Sequence, residues 1–214
     1  MSKCEIHSAV LGIVETNVYL LTNRETSEAL IIDPADDADE IVRLCDRTGS
    51  VPVAILLTHG HFDHMLAAPE LAKDLEIPIY AYSGENVLMR DAWANCSAHC
   101  GFKASCSADR EVTEGQMLKL AGFRIKVLHT PGHTSGSCCY YLPDEGILVS
   151  GDTLFRGSYG RTDLETGSDA AIIRSVRRLL KELPEQTTVL PGHMGRTTIA
   201  FEKKYNPLSE TAAW

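Results

Sequence analysis

The sequence has no basic excess, no long apolar run and no leader-like start. Its 20 Lys+Arg stand against 29 Asp+Glu, a formal charge of −9 at pH 7 with neutral histidine. No basic run offsets that balance, so neither a nucleic-acid backbone nor an anionic membrane is expected as the main partner, and cations are the more natural guests. No uninterrupted apolar stretch approaches the ~18 residues of a membrane span. The opening Met1-Ser2-Lys3-Cys4-Glu5 lacks the charged-then-apolar order of a secretory signal, and a cytoplasmic location is the expectation. Internal repeats, low-complexity tracts and linker-like stretches are missing too. Residues 1–214 are therefore expected to form one domain, with no second large substrate-binding domain.

Paired C-x-x-C knuckles are also absent. The seven cysteines, Cys4, Cys45, Cys96, Cys100, Cys106, Cys138 and Cys139, are odd in number in a chain large enough to need no staples. That usage suits a reducing compartment better than a disulfide framework. His99 with Cys96, Cys100 and Cys106 has a loosely metal-like spacing, but without the second knuckle loose thiols are the expectation.

What is present is an ordinary globular composition, 44% hydrophobic and 23% charged, enough for a sizeable core. Short β-like runs at 6–14, 17–22 and 29–33 precede a helical pattern over 37–46 with Ile41, Leu44 and Cys45 on one face. The stretch 53–57 is apolar on both alternating faces, as in a strand buried from both sides. Met65, Ala68, Leu71, Ala72 and Leu75 then recur at helical spacing, a short strand over 77–82 is followed by a helix, and 91–110 reads as irregular or weakly helical. Strand signals return at 117–120, 123–129, 137–142 and 146–150 as antiparallel neighbours, with Ala121-Gly122 as a tight hairpin turn. A helix capped by Ser168 or Asp169 is expected to bury Ile172, Ile173, Val176, Leu179, Leu180 and Leu183, and a last strand at 187–190 leads into Pro191-Gly192-His193.

Three imidazoles and a carboxylate crowd the six positions from His59 to His64, immediately after the buried strand. A lone histidine there would read as a polar capping residue. A cluster of neutral imidazoles and a carboxylate instead offers the ligands of zinc and similar divalent ions. His133, Asp152 and His193 each follow an apolar strand as well. Strand ends converge on one edge of a layered α/β domain, where ligands commonly bind. That edge collects His59, His61, Asp63, His64, His133, Asp152 and His193, too many for one tetrahedral ion and suited to two.

These segments, THGHFDH at 58–64, HTPGHTSGS at 129–137, SGDTLF at 150–155 and PGH at 191–193, resemble in kind and order the metallo-β-lactamase superfamily. Within it they are most similar to the short, single-domain glyoxalase II-like (hydroxyacylglutathione hydrolase-like) branch. TNVYLL at 16–21 and IIDPA at 31–35 resemble that family's first strands, with Ala35 where a glycine is common. The resemblance implies an α/β fold, an αββα sandwich of two mixed β-sheets flanked by helices. It implies one metal on His59, His61 and His133, a second on Asp63, His64 and His193, and Asp152 bridging them. Zinc is expected at both, with iron or manganese as alternatives. It also suggests that Asp33 braces the metal loop. β-Lactamases of the common subclass carry a cysteine where Asp152 stands, so the resemblance points away from lactam hydrolysis. Full-length glyoxalase II adds a C-terminal helical domain that grips glutathione, whereas this chain ends 21 residues after His193. Arg161 falls where such enzymes place a lysine for a glutathione carboxylate and is the substrate-binding candidate. Asp163 stands where they often carry a tyrosine.

The implied activity is that of a dinuclear metal-dependent hydrolase. Two dications about 3.5–4 Å apart share a water, lower its pKa toward about 7 and present a bridging hydroxide to a carbonyl. A thiolate, with a parent pKa near ~8.5, leaves without an obligatory acid, so a small thioester such as an S-acylglutathione of the lactoylglutathione kind is the expected substrate. Asp63 and Asp152 are the residues expected to act in catalysis as well as in metal binding. The alternative is a mononuclear iron persulfide dioxygenase, and a metal-binding module without catalysis stands behind both.

Overall fold

The computed structural model describes residues 2–209; residue 1 and residues 210–214 of the expected 1–214 domain lie outside the described residues. Two six-stranded sheets organise the chain. The first runs in spatial order β1 (Cys4–Leu11), β2 (Thr16–Asn23), β3 (Glu28–Ile32), β4 (Val51–Leu56), β5 (Ile79–Tyr82) and β6 (Arg110–Val112). Its β1–β2–β3 pairs are antiparallel and its β3–β4–β5–β6 pairs parallel. The second contains β7 (Met117–Leu120), β8 (Phe123–His129), β9 (Cys138–Leu142), β10 (Ile147–Gly151), β11 (Thr188–Pro191) and β12 (Thr197–Thr198). There β7 to β10 are antiparallel, β10 and β11 parallel, and β11 and β12 antiparallel. Both sheets are mixed, as expected.

Period-two alternation divides the burial. Leu30 and Ile32 of β3 enter the core between the sheets, where they join Leu56, Phe123, Ile125, Val127, Tyr140 and Val149. Ala29 and Ile31 face the other way, under α1 (Ala38–Thr48), α2 (Phe62–Met65), α3 (Ala68–Asp74) and α4 (Glu85–Arg90). On the far side, α5 (Asp169–Glu182) and α6 (Ile199–Tyr205) cover Leu128, Cys139, Leu148 and Val189 of the second sheet. The layering is helix, sheet, sheet, helix, which buries both faces of each central strand and explains their nearly continuous apolar runs. Among the described residues no helix is long and apolar enough to cross a membrane.

Local chemistry sets the boundaries. The first strand stops at Leu11 rather than at 14, because Gly12 and Glu15 take positive φ and turn the chain into β2. The expected helix from Met65 breaks into α2 and α3, with Pro69 in the first turn of α3, where its missing N–H costs nothing. Ala121 and Gly122 both have positive φ, as a tight hairpin turn requires, and a side chain at Gly122 would run into Asn23, whose amide donates to the Ala121 carbonyl. Ser168 is the cap of α5, accepting from the Ala171 N–H. The irregular 91–110 segment holds a 3₁₀ turn at Ser97–Cys100 and ends in β6, while β12 and α6 follow His193. None of β6, β12 and α6 was anticipated: each is at most seven residues long, too short for periodicity to emerge.

Because alternate antiparallel strands point the same way, β8 and β10 end at one edge, and β11, parallel to β10, ends there too. His133, Asp152 and His193 lie just beyond those three ends, opposite the loop that follows β4.

Candidate metal centre

The loop after β4 is fixed from behind. Asp33, at the end of β3 and 2% exposed, accepts from the Thr58 N–H at 2.8 Å, from the Thr58 hydroxyl at 2.7 Å and from His64 Nδ1 at 2.9 Å. One carboxylate therefore sets both the start of the loop and the orientation of the histidine at its far end. Glu85, the first residue of α4, does the same for the other half: its Oε1 accepts from the Gly60 N–H at 3.0 Å and from the Thr134 hydroxyl at 2.7 Å. It ties the His59–His61 loop to the segment that carries His133. Burial raises the Glu85 carboxyl above its ordinary pKa, and these donors oppose that rise.

The loop carrying His193 is held by the opposite sheet. The Asn17 side-chain amide donates to the carbonyls of Pro191 and Met194, at 2.9 and 2.8 Å, and the Tyr19 hydroxyl to that of Pro191 at 2.9 Å. Gly192 lets this loop pass over the cluster: a Cβ there would collide with Asp152 Oδ1 and lie 2.6 Å from His64 Cε1. The Thr16 hydroxyl donates to Asp63 Oδ2 at 2.8 Å, and His133 Nδ1 bonds the Arg161 carbonyl at 2.7 Å.

All seven expected ligands meet in one place. Three groups have ligand atoms lying within 4.8 Å of one another: His59, His61 and His133; Asp63, His64 and His193; and His59, His64 and Asp152. His61 Nδ1 and His133 Nε2 approach to 2.9 Å. Asp152 lies between the first two groups, with Oδ1 3.4 Å from His64 Nε2 and Oδ2 3.5 Å from His133 Nε2 and 3.4 Å from His193 Nε2. His59 Nε2, His61 Nε2, His64 Nε2 and Asp152 Oδ1 are buried without a hydrogen-bond partner. Each such orphan costs about 1–3 kcal/mol in a dry interior, so four in one cluster need a common partner. A divalent cation satisfies lone pairs on imidazole and carboxylate together, and this donor set of nitrogen and oxygen fits one.

The two halves differ electrically. Burial, reinforced by neighbouring imidazoles, pushes His59 well below the ordinary histidine pKa and His61 down to about 3, so both are neutral. Burial also works against charge on His64 and His193, but there the carboxylates prevail. Asp63, Asp152 and Asp33 hold His64 well above its ordinary value, and Asp152 and Asp63 raise His193 to about 9. Burial would raise the Asp63 and Asp152 carboxyls, yet the adjacent His64 and His193 keep both below the usual carboxylate range.

A cleft of about 660 Å³ opens over the cluster, lined in part by Phe62, Phe155, Tyr159 and Arg161. The Arg161 side chain, 62% exposed, forms a forked pair with Asp163, both contacts at 2.7 Å. Cys96, His99 and Cys100 also line the cleft, but they and the buried Cys106 form no metal-like group among the described residues. His99 packs edge-on to Trp93, and His129 stacks on Tyr82 at 4.1 Å. Sequence reasoning missed Thr16, Asn17, Tyr19 and Glu85. Thr16, Asn17 and Tyr19 fall in the family-like TNVYLL run without a role of their own, and the only signal for Glu85 was a polar residue at the start of a helix.

Known proteins resemble this chain in sequence and fold. The family model described as the metallo-beta-lactamase superfamily matches residues 11–193. The chain is 36% identical over 199 residues to the probable metallo-hydrolase YqgX of Bacillus subtilis (strain 168), covering 92% of this chain and 93% of that protein. It is 32% identical over 196 residues to the hydroxyacylglutathione hydrolase GloC of Haemophilus influenzae, covering 90% and 92%. Among solved structures, BLEG-1 B3 metallo-beta-lactamase superposes with a TM-score of 0.90 at 37% identity, over 96% of this chain and 100% of that one. TTHA1623 in a di-iron-bound form gives 0.81 at 37% identity, over 94% and 98%. ETHE1 from Myxococcus xanthus gives 0.79 at 26% identity, over 95% and 83%. With its two mixed sheets, its strand-end histidines and a family match spanning most of its length, the chain belongs to the metallo-beta-lactamase superfamily.

Proposed function

We propose that the protein is a dinuclear metal-dependent hydrolase of thioesters. The observation that carries this reading is the pair of ligand groups on either side of Asp152, with four unpaired buried atoms turned into one cluster. His59, His61 and His133 would hold one ion and Asp63, His64 and His193 the other, with Asp152 shared. A pair of divalent ions, zinc or iron, supplies Lewis acidity that lowers the pKa of water toward ~7 and polarises a carbonyl. The chain's own contribution is orientation. Asp63, steadied by the Thr16 hydroxyl, and Asp152 both face His193 Nε2 at 3.4 Å and fix where a water and a carbonyl can sit. Asp33 and the Arg161 carbonyl stop the His64 and His133 rings from turning, and Glu85 holds the backbone between His59 and His61. A thiolate leaves readily because its parent thiol has a pKa near ~8.5, so no strong general acid is needed. The likeness to the hydroxyacylglutathione hydrolase GloC supports the thioester assignment. The likeness to BLEG-1 keeps lactams among the substrates to be assayed, despite the aspartate at 152.

The test is thiol release from S-lactoylglutathione and from an acyl N-acetylcysteamine, using protein loaded separately with zinc and with iron. Metal-dependent release that vanishes in Asp152→Ala is the expected result. No release of thiol from either substrate by metal-loaded protein overturns the reading. Oxygen uptake with glutathione persulfide at one iron per chain would replace it with a persulfide dioxygenase, and turnover confined to a β-lactam would replace it with a lactamase.

A further inference from the structure

The cleft over the cluster has a chemistry of its own, which rests on the thioester reading and narrows it to one class of substrate. Val14, Phe62, Phe155, Tyr159, Leu164 and Met194 bring apolar surface to its wall. Val14 is 45% and Met194 60% exposed at its mouth, apolar area that a ligand would take out of water. Arg161 is the only lysine or arginine among the described lining residues. One edge of its guanidinium is already taken and its charge paired, since Nε donates to Asp163 Oδ1 and Nη2 to Oδ2, both at 2.7 Å. The other arginine of this loop, Arg156, lies 5.4 Å over the Phe201 ring of α6 and does not line the cleft. A ligand carboxylate at Arg161 would have to share its charge with the Asp163 carboxylate, in a chain of net charge −9.

We propose that the cleft takes neutral, apolar thioesters, a hydrocarbon acyl group on an uncharged thiol arm, in preference to conjugates of a tripeptide thiol with two carboxylates. Asp163 sets this preference by occupying Arg161. The charge that would attract an anion is offset inside the protein before any ligand arrives, and apolar burial supplies more of the affinity.

The test separates binding from turnover. Two non-hydrolysable thioethers, S-hexylglutathione and S-hexyl-N-acetylcysteamine, share the hexyl group and differ in the charge of the thiol half. Titrated calorimetrically into the metal-loaded full chain, the neutral thioether should bind about tenfold tighter or more. Asp163→Asn should strengthen the glutathione thioether about fivefold, the scale of an exposed ion pair, and change the neutral one less than about twofold. Equal affinities, tighter binding of the glutathione thioether, binding of neither, or a ratio unmoved by Asp163→Asn overturns the preference. The matching hexanoyl thioesters are assayed in parallel. A neutral preference in binding with no thiol released from either ester would sink the hydrolase reading and leave the cleft's preference standing. Faster release from the glutathione ester would do the reverse.

Discussion

His59, His61 and His133 face a cation as three imidazoles, whereas Asp63, His64 and His193 face it as a charged network threaded with carboxylates. The first group sits deepest, at most 3% exposed, and burial has stripped His59 and His61 of any tendency to hold a proton. The second is partly open, with the His193 side chain 20% exposed, and keeps its histidines charged through Asp63 and Asp152. One half is thus prepared for a metal by exclusion of water. The other is prepared by an excess of negative charge that protons neutralise until a metal replaces them.

Asp152 belongs to both halves, so Asp152→Ala should have the largest effect. Activity should fall on the order of 10³-fold or more, about 4 kcal/mol of transition-state stabilisation, and metal content should drop as measured by elemental analysis. A variant with normal turnover would show that the halves work independently. His193→Ala comes next and should distinguish them: about one metal equivalent should remain, held by the buried imidazoles, and two retained equivalents would remove His193 from the ligand set. The braces should separate the halves more gently. Asp33→Asn should weaken metal binding at the charged half and Glu85→Ala at the imidazole half, each about 10–100-fold in chelator competition, and equal effects of both at both ions would erase the distinction.

The smallest expected effect per step is in pH, read one unit at a time. A histidine held at about 9 is protonated at neutral pH and must shed that proton to bind metal. The His193 contribution to affinity at the charged half should therefore climb with pH, on the order of tenfold per unit, until about 9, and then level. His61, already neutral above about 3, adds no such slope. Proton release counted by calorimetry in buffers of different ionisation enthalpy would measure the contrast directly. Identical proton counts for both ions would refute it.

The contrast between halves is also what sequence conveys least. The candidate ligands are legible as a cluster, because His59 to His64 is dense in metal-binding side chains and His133, Asp152 and His193 each come shortly after an apolar strand. That the central strands are buried from both sides is legible from runs such as residues 53–57, whereas the αββα layering is implied by the family resemblance. Asp33 was legible only through family resemblance. Glu85 and Asn17 were not, since a single polar residue has no periodicity and its role depends on which distant backbone groups the fold brings to it. The Arg161–Asp163 pairing escaped for a related reason: spacing of two fits a loop in many conformations, and only one of them closes the fork.

Each of the two ligand groups draws two members from the loop after β4, in one sheet, and one from a strand end of the other. Neither sheet alone can therefore offer a three-ligand site, and a metal has high affinity only for the docked sandwich. Opening the seam and losing the ion become a single equilibrium, in which free metal protects the native state by RT ln(1 + [metal]/Kd). On this arrangement bound ions would rivet the two halves of the protein together, and a chelator should promote global unfolding as much as it stops chemistry.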